Sequence, residues 1–335
     1  MFTSDIKQKA LSLGYSACGI IPAGVFDFYT EALDIRIKSF PESERLYMPL
    51  YGMAQLPEDA RSVIVCTRGY SSYRVPENLH ELYGKVYLFD GRLDYTQEHM
   101  IKNEFEAFLK MHGMSIINCP VPARLAAAKA GAGKFGRNNF IYDPVHGSYI
   151  WIETWVIDRE LDYDEVKDDI YMSSCSDSCN RCIEACPTKA LSGSFSMNMG
   201  RCITRLTTQQ GDVPDDGTKN SMGRWLYGCD LCQDACPMNK GRFSGQKEFP
   251  MLDEYEEYMS CERILEMDEK TYLDVIYPRF WYAGEDGLWL WKCSALRSIV
   301  NTGDREHFNL VKKYCDHEET HIRETARWGC KILGL

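Results

Sequence analysis

No stretch of this 335-residue chain is long and apolar enough to suggest a membrane span. The opening segment, Met1 to Ile20, carries lysines and an aspartate where a signal peptide needs an apolar core, so the expected location is the cytoplasm. Basic charge is also scarce: 38 Lys and Arg face 49 Asp and Glu, a formal net charge of −11. A nucleic-acid binder needs a positive footprint to displace counterions from phosphates. A large RNA therefore ranks low among the expected partners, although a local basic groove is compatible with the total. With 44% hydrophobic residues the chain can still bury enough apolar surface for two or three compact units.

What the chain has in excess is cysteine. Fifteen are present, and a reducing compartment keeps thiols for metals, for catalysis or as small buried hydrophobes. Eight fall within the 62 residues from Cys175 to Cys236. Cys18, Cys66, Cys119, Cys261, Cys293, Cys315 and Cys330 are scattered singly and read as core residues.

The chain divides by pattern into three parts. Residues 1–165 mix helix and strand: Ile6 to Leu13 and Lys102 to Met111 have helical period, while Ser62 to Thr67 (SVIVCT) and Tyr149 to Ile157 (YIWIETWVI) read as core strands. Residues 166–250 turn to Cys, Gly, Pro, Asn and Asp, the composition of a module held by metal rather than by a core, with a surface turn at Asp212 to Gly217. Residues 251–335 read as short antiparallel helices over Leu288–Asn301, Glu306–Cys315 and Thr320–Leu333, either one or two HEAT-type repeats or a simple helical cap.

The eight clustered cysteines have a specific order. Cys175-x3-Cys179-x2-Cys182-x3-Cys186-Pro187 is followed by Cys202 and then by Cys229-x2-Cys232-x3-Cys236-Pro237. In the bacterial ferredoxin run three cysteines surround one cubane, and the fourth, followed by Pro, reaches the other. The spacing therefore predicts two [4Fe-4S] clusters, one on Cys175, Cys179, Cys182 and Cys236, the other on Cys202, Cys229, Cys232 and Cys186. Two irregularities mark Cys175 and Cys202: the first gap holds three residues instead of two, and 26 residues separate Cys202 from Cys229. Zinc is the competing metal, but its sites do not require the Cys-x3-Cys-Pro pair.

A second motif, Gly131-x-Gly133-x-x-Gly136 with Glu153 beyond it, superficially fits a dinucleotide fingerprint. Pro122 to Ala130 (PARLAAAKA) reads as helix where a strand is required, which argues against that site.

Cys202-Ile203-Thr204-Arg205-Leu206-Thr207 together with Tyr227-Gly228-Cys229-Asp230-Leu231-Cys232-Gln233-Asp234-Ala235-Cys236-Pro237-Met238-Asn239 resembles the epoxyqueuosine reductases. Cys18-Gly19-Ile20, Leu56-Pro57 and Ala130-Gly131-Ala132-Gly133-Lys134-Phe135-Gly136-Arg137-Asn138 are similar to landmarks of that family, to which the reductive dehalogenases are related. The resemblance implies an α+β, nitroreductase-like N-terminal domain, a two-cluster ferredoxin module and a helical tail. It also implies a base-off cobalamin between the first two, with flavin as the alternative cofactor. Gly131, Gly133 and Gly136 would then let backbone approach that cofactor, with Lys134 and Arg137 near its anionic tail and Asn138 also among the cofactor-binding residues; a plain tight turn with two solvated cations is the other reading.

One landmark is missing. The family's aspartate, a proton donor, corresponds here to Ile117, beside Asn118, and neither side chain exchanges a proton in the working pH range. Substitute acids suggested by position are Tyr95, Tyr142, Asp143 and Glu153, whereas Cys119, without a nearby His, reads as a buried thiol. The sequence thus points first to a corrinoid-dependent reductase of a small organic substrate, supplied by a low-potential ferredoxin- or flavodoxin-type donor. It points second to an electron carrier for a corrinoid or flavin partner, and third to reduction of epoxyqueuosine in tRNA.

Overall fold

The computed structural model describes residues 2–88, 96–175, 178–211, 213–303 and 305–335. Its N-terminal part is built on four strands, β1 (Ala17–Pro22), β2 (Ser62–Gly69), β3 (Ile116–Ile117) and β4 (Ile150–Ile157). They pair antiparallel in the order β1-β2-β4-β3, with Cys18 opposite Cys66 and Cys66 opposite Glu153. β2 is central, which is why SVIVCT lacks polar alternation: Ser62 to Thr67 are all buried, half of them on each face.

The two faces carry different helices. Val63, Val65 and Val156 pack towards the helix Ala123–Lys129, while Ile64, Cys66 and Trp155 pack towards Phe2–Ser12 and Gln97–Met111. In chain order we call these helices α1 (Phe2–Ser12), α2 (Asp27–Ser39), α3 (Gln97–Met111) and α4 (Ala123–Lys129). The helix expected over PARLAAAKA is thus present, and its buried Ala126, Ala127 and Ala128 let it lie close on the sheet. No strand enters the glycine motif, and a two-stranded hairpin, Lys134–Phe135 with Ile141–Tyr142, leaves it, so the strand-turn-helix of a dinucleotide site is absent there.

The cysteine segment forms short helices, α5 (Arg181–Glu184), α6 (Ile203–Thr208) and α7 (Leu231–Asp234). The two Cys-x2-Cys-x3-Cys-Pro runs are backbone copies of one another. Asn180 and Asp230 precede their helices at φ −116° and −114°, and Ala185 and Ala235 follow them at φ −71°, ψ −12° and φ −71°, ψ −13°. The residues between Cys202 and Cys229 fold on a small core of their own, made by Ile203, Leu206, Met222 and Trp225.

In the tail, α8 (Cys261–Glu266), α9 (Leu288–Thr302), α10 (Phe308–Lys313) and α11 (Thr320–Leu333) follow the helical segments expected from periodicity, and Gly303 at φ +66° ends α9 at the TGD break. These helices close over a core drawn from all three parts of the chain, in which Tyr83, Leu226, Tyr227, Phe280 and Trp291 meet. That arrangement is a helical cap rather than a free-standing repeat array. No helix among the described residues is long and apolar enough to cross a membrane.

Candidate iron-sulfur centre and adjoining recess

Folding brings the eight cysteines into two groups. Cys175, Cys179, Cys182 and Cys236 line one cavity of about 280 Å³, counted with its open mouth, which Gly136, Arg137, Asn138 and Tyr142 complete. Cys186, Cys202, Cys229 and Cys232 form the other group, near enough that each ionised neighbour raises the Cys229 and Cys232 thiols. Each run therefore sends its last cysteine to its neighbour's group. Cys202 reaches its place because it caps α6, and α6 is tied to the second run by Gly228 N–H donating to Thr207 Oγ1 at 2.9 Å.

Burial, the largest cause, pushes the Cys175, Cys182, Cys202, Cys229 and Cys232 thiols up from their ordinary value of 9.0. Thiolates form in such surroundings only when a cation is supplied with them. A single tetrahedral zinc, at about 2.3 Å from each sulfur, would draw four thiols tightly together. The Cys-x3-Cys-Pro pair, which places the last cysteine of each run in the other group, is the arrangement of two cubanes and is not required by zinc. The residues fit clusters better than a lone ion.

The glycine motif forms the seam to this module. A Cβ on Gly133 would stand 2.5 Å from Ile141 Cγ2 and 2.8 Å from the Tyr142 carbonyl oxygen, and one on Gly136 would stand 2.5 Å from the Tyr142 ring. Gly133 and Gly136 let the hairpin fold on itself, as the tight-turn reading requires. Gly133→Ala is expected to destabilise the protein by about 2 kcal/mol or more, measured by denaturant unfolding. Gly131 ends α4 at φ +73°. Lys134 pairs with Asp169 at the surface. Arg137 Nη1 donates to the Cys179 carbonyl at 2.8 Å, and Asn138 Nδ2 donates to the Cys232 carbonyl at 3.0 Å. Lys134 thus pairs at the surface, while Arg137 and the neutral amide of Asn138 bond the cluster loops.

The expected acids are placed as follows. Tyr95 lies outside the described residues. Tyr142 faces the Cys236 thiol, and burial followed by that thiol raises it far above the ordinary tyrosine value, which makes it a hydrogen-bond donor to sulfur rather than a mobile acid. Asp143 Oδ1 accepts from Val145 N–H at 2.8 Å and from His146 N–H, so this carboxylate ties a turn, as Asp-Pro predicts. Glu153 sits on β4 inside the N-terminal domain and accepts from the Tyr15 hydroxyl. Burial raises its carboxyl from 4.5 in spite of that bond. The fold thus disfavours ionised Glu153: its contribution is fully present below the unfolded value and is lost as pH rises through the raised folded one. Glu153→Gln is expected to flatten that part of the stability-pH curve, measured by thermal unfolding. Ile117 pairs with Val156 at the sheet edge and packs on apolar residues. Cys119 follows it, half-buried, with its thiol raised by burial and by Asp59.

A group of residues that the sequence did not single out lies beside the second thiol group. Arg124 of α4 is exposed, and the surrounding protein lowers its pKa, chiefly through desolvation. Its guanidinium lies 4.9 Å from the Phe140 ring centre, and Nη1 donates to the Asn139 carbonyl at 3.3 Å. Arg36 of α2 donates to Asn139 Oδ1 at 3.1 Å, adding a second cation. Tyr87 faces Cys202, Arg124 and Tyr282, and burial raises its hydroxyl so that it stays protonated at neutral pH. Trp281 and Tyr282 stack at 4.3 Å with 43% and 41% of their surfaces exposed, extending from Tyr87 as an aromatic lip. The one local signal for this group was a lone arginine on an otherwise apolar, buried helix.

Two cysteine runs whose thiols gather in two groups of four beside an α/β domain fit an iron-sulfur oxidoreductase, and residues 174–239 match the 4Fe-4S double cluster binding domain. The chain is 31% identical to an epoxyqueuosine reductase of Staphylococcus aureus, across 98% of this chain and 88% of that one. It is 29% identical to one of Cyclobacterium marinum across 71% and 79% of the two chains. Its fold superposes on a crystal structure of epoxyqueuosine reductase with a tRNA-Tyr epoxyqueuosine-modified stem loop at a TM-score of 0.76, with 20% identity, covering 100% of this chain and 90% of the other. The chain belongs to the epoxyqueuosine reductase family.

Proposed function

We propose that this protein reduces epoxyqueuosine in the anticodon region of tRNA, with electrons entering through two [4Fe-4S] clusters. The observation that carries the reading is the group of Arg36, Tyr87 and Arg124 beside the second thiol group, with the exposed stack of Trp281 and Tyr282 next to it; in this reading they line a recess for the substrate. Exposed stacked aromatics are suited to a base unstacked from a single-stranded loop. The order of candidates drawn from charge is thereby reversed. A net charge of −11 describes the whole surface, while a loop nucleotide meets the recess, where Arg36 and Arg124 supply the local positive field.

In this reading Cys175, Cys179, Cys182 and Cys236 hold one cluster, and Cys186, Cys202, Cys229 and Cys232 hold the one beside the recess. The low-potential donor would be of ferredoxin or flavodoxin type. A corrinoid, if bound as the family resemblance implies, would supply a strongly reducing metal centre, with Arg36 and Arg124 as the cations near it; a flavin would compete for the same place. The chain's own residues do the rest. Arg124 and Arg36 hold negative charge that develops on the substrate, and α2, α4 and Tyr87 wall the site from bulk water. Ile117 supplies no proton, and Tyr87 presents a protonated hydroxyl at the recess.

The direct test incubates reconstituted anaerobic protein and a chemical reductant, with and without cobalamin, with an epoxyqueuosine-bearing tRNA stem-loop, and follows queuosine by mass spectrometry. Conversion is expected, and Trp281→Ala should raise KM for the stem-loop about tenfold or more with cluster content unchanged. Absence of conversion while a small organic substrate turns over would overturn the reading.

A further inference from the structure

Two cysteines read as scattered core residues meet in the C-terminal cap. Cys315 lies just past α10 and Cys330 in the last turn of α11, and their sulfurs stand 3.1 Å apart. That is inside the roughly 3.5–4.0 Å of ordinary nonbonded contact and about 1 Å from the bonded distance. The approach is built in. A Cβ on the neighbouring Gly329 would stand 2.7 Å from Val300 and 3.1 Å from Val311, so glycine there lets α11 press against α9 and α10 and brings the next residue onto the loop. Two arginines of α11 then clamp the loop: Arg327 Nε donates to the Cys315 carbonyl at 2.9 Å, and Arg323 Nη1 donates to the His317 and Glu318 carbonyls at 2.6 and 2.9 Å.

We propose that Cys315 and Cys330 are a reversible dithiol-disulfide site that reacts with low-molecular-weight disulfides of the glutathione class and locks the last two helices together. One thiolate of the pair attacks a sulfur of the small disulfide, forming a mixed disulfide and releasing one small thiolate. The second thiolate attacks the protein sulfur of that mixed disulfide and expels the other small thiolate. Two protein thiols are oxidised by two electrons, their two protons leave, and one small disulfide becomes two small thiols. Both sulfurs are partly accessible, in contrast to the Cys18–Cys66 pair, of which Cys66 is sealed in the sheet. Burial and the bond to Cys315 push the Cys330 thiol up to about 11, so the exchange is slow at neutral pH and quickens as pH rises. The site is separate from both cluster groups and does not depend on the substrate assignment.

The test uses the reconstituted holoprotein under anaerobic conditions with glutathione disulfide as the probe, followed by alkylation, digestion and mass spectrometry. The expected product joins the Cys315 and Cys330 peptides, loses two hydrogens in intact mass, keeps its iron and reverts with dithiothreitol. Its unfolding midpoint should rise by about 5 °C, as for closure of a loop of this size. Cys330→Ser should give neither link nor shift, and Cys315→Ser provides the same comparison if that variant does not accumulate. Two thiols that both remain alkylatable, or glutathione persisting on one of them, would overturn the proposal.

Discussion

Cys236→Ser is expected to empty the cluster site of the other cysteine run. Its sulfur belongs to the cavity of Cys175, Cys179 and Cys182, although in sequence it closes the run of Cys229 and Cys232. Iron and acid-labile sulfide should fall from about eight to about four per chain, since each cubane carries four of each. The surviving cluster should have the same electron paramagnetic resonance spectrum as in Cys182→Ser and a different one from Cys229→Ser. Ligation within each run predicts the opposite pairing, with Cys236→Ser matching Cys229→Ser. Reductase activity should be lost in all three, because a broken electron path leaves the recess without a donor.

Arg124→Met should lower kcat for epoxyqueuosine reduction by about tenfold or more, less than for a charge removed from a fully buried site because Arg124 is exposed. Iron content and the unfolding midpoint should change little. Arg124 makes one hydrogen bond, at 3.3 Å, and one ring contact, and the methionine stem retains much of the packing on Phe140. A change confined to KM would instead make Arg124 a uniform binding group. The two variants separate supply from use: Cys236→Ser removes electrons from an intact recess, and Arg124→Met alters a recess that electrons still reach.

Local pattern carried much of the architecture. SVIVCT could only be a strand buried on both faces, PARLAAAKA could only be helix, and the spacing of the cysteine runs specified two backbone copies with Pro after each fourth position. The same spacing pointed to the cross-ligation that the folded chain brings together. Asp143-Pro144 read as a turn and is one.

What distance in the chain concealed was decided by packing. The glycine motif signals close approach without naming what approaches; the hairpin brings Ile141 and Tyr142 against Gly133 and Gly136. Arg36, Tyr87, Arg124 and Tyr282 share no local motif, and they come together only where α2, α4, the segment of Tyr87 and the residues before α9 converge. Cys315 and Cys330 gave no signal as singles, since two thiols become a pair through the fit of α11 on α9 and α10. The sequence by itself determined the ligand chemistry, because cluster binding is written in short-range spacing. The place where those electrons are used was decided by tertiary structure, because a recess is made of surfaces from distant segments and its charge is local, whatever the sign of the whole.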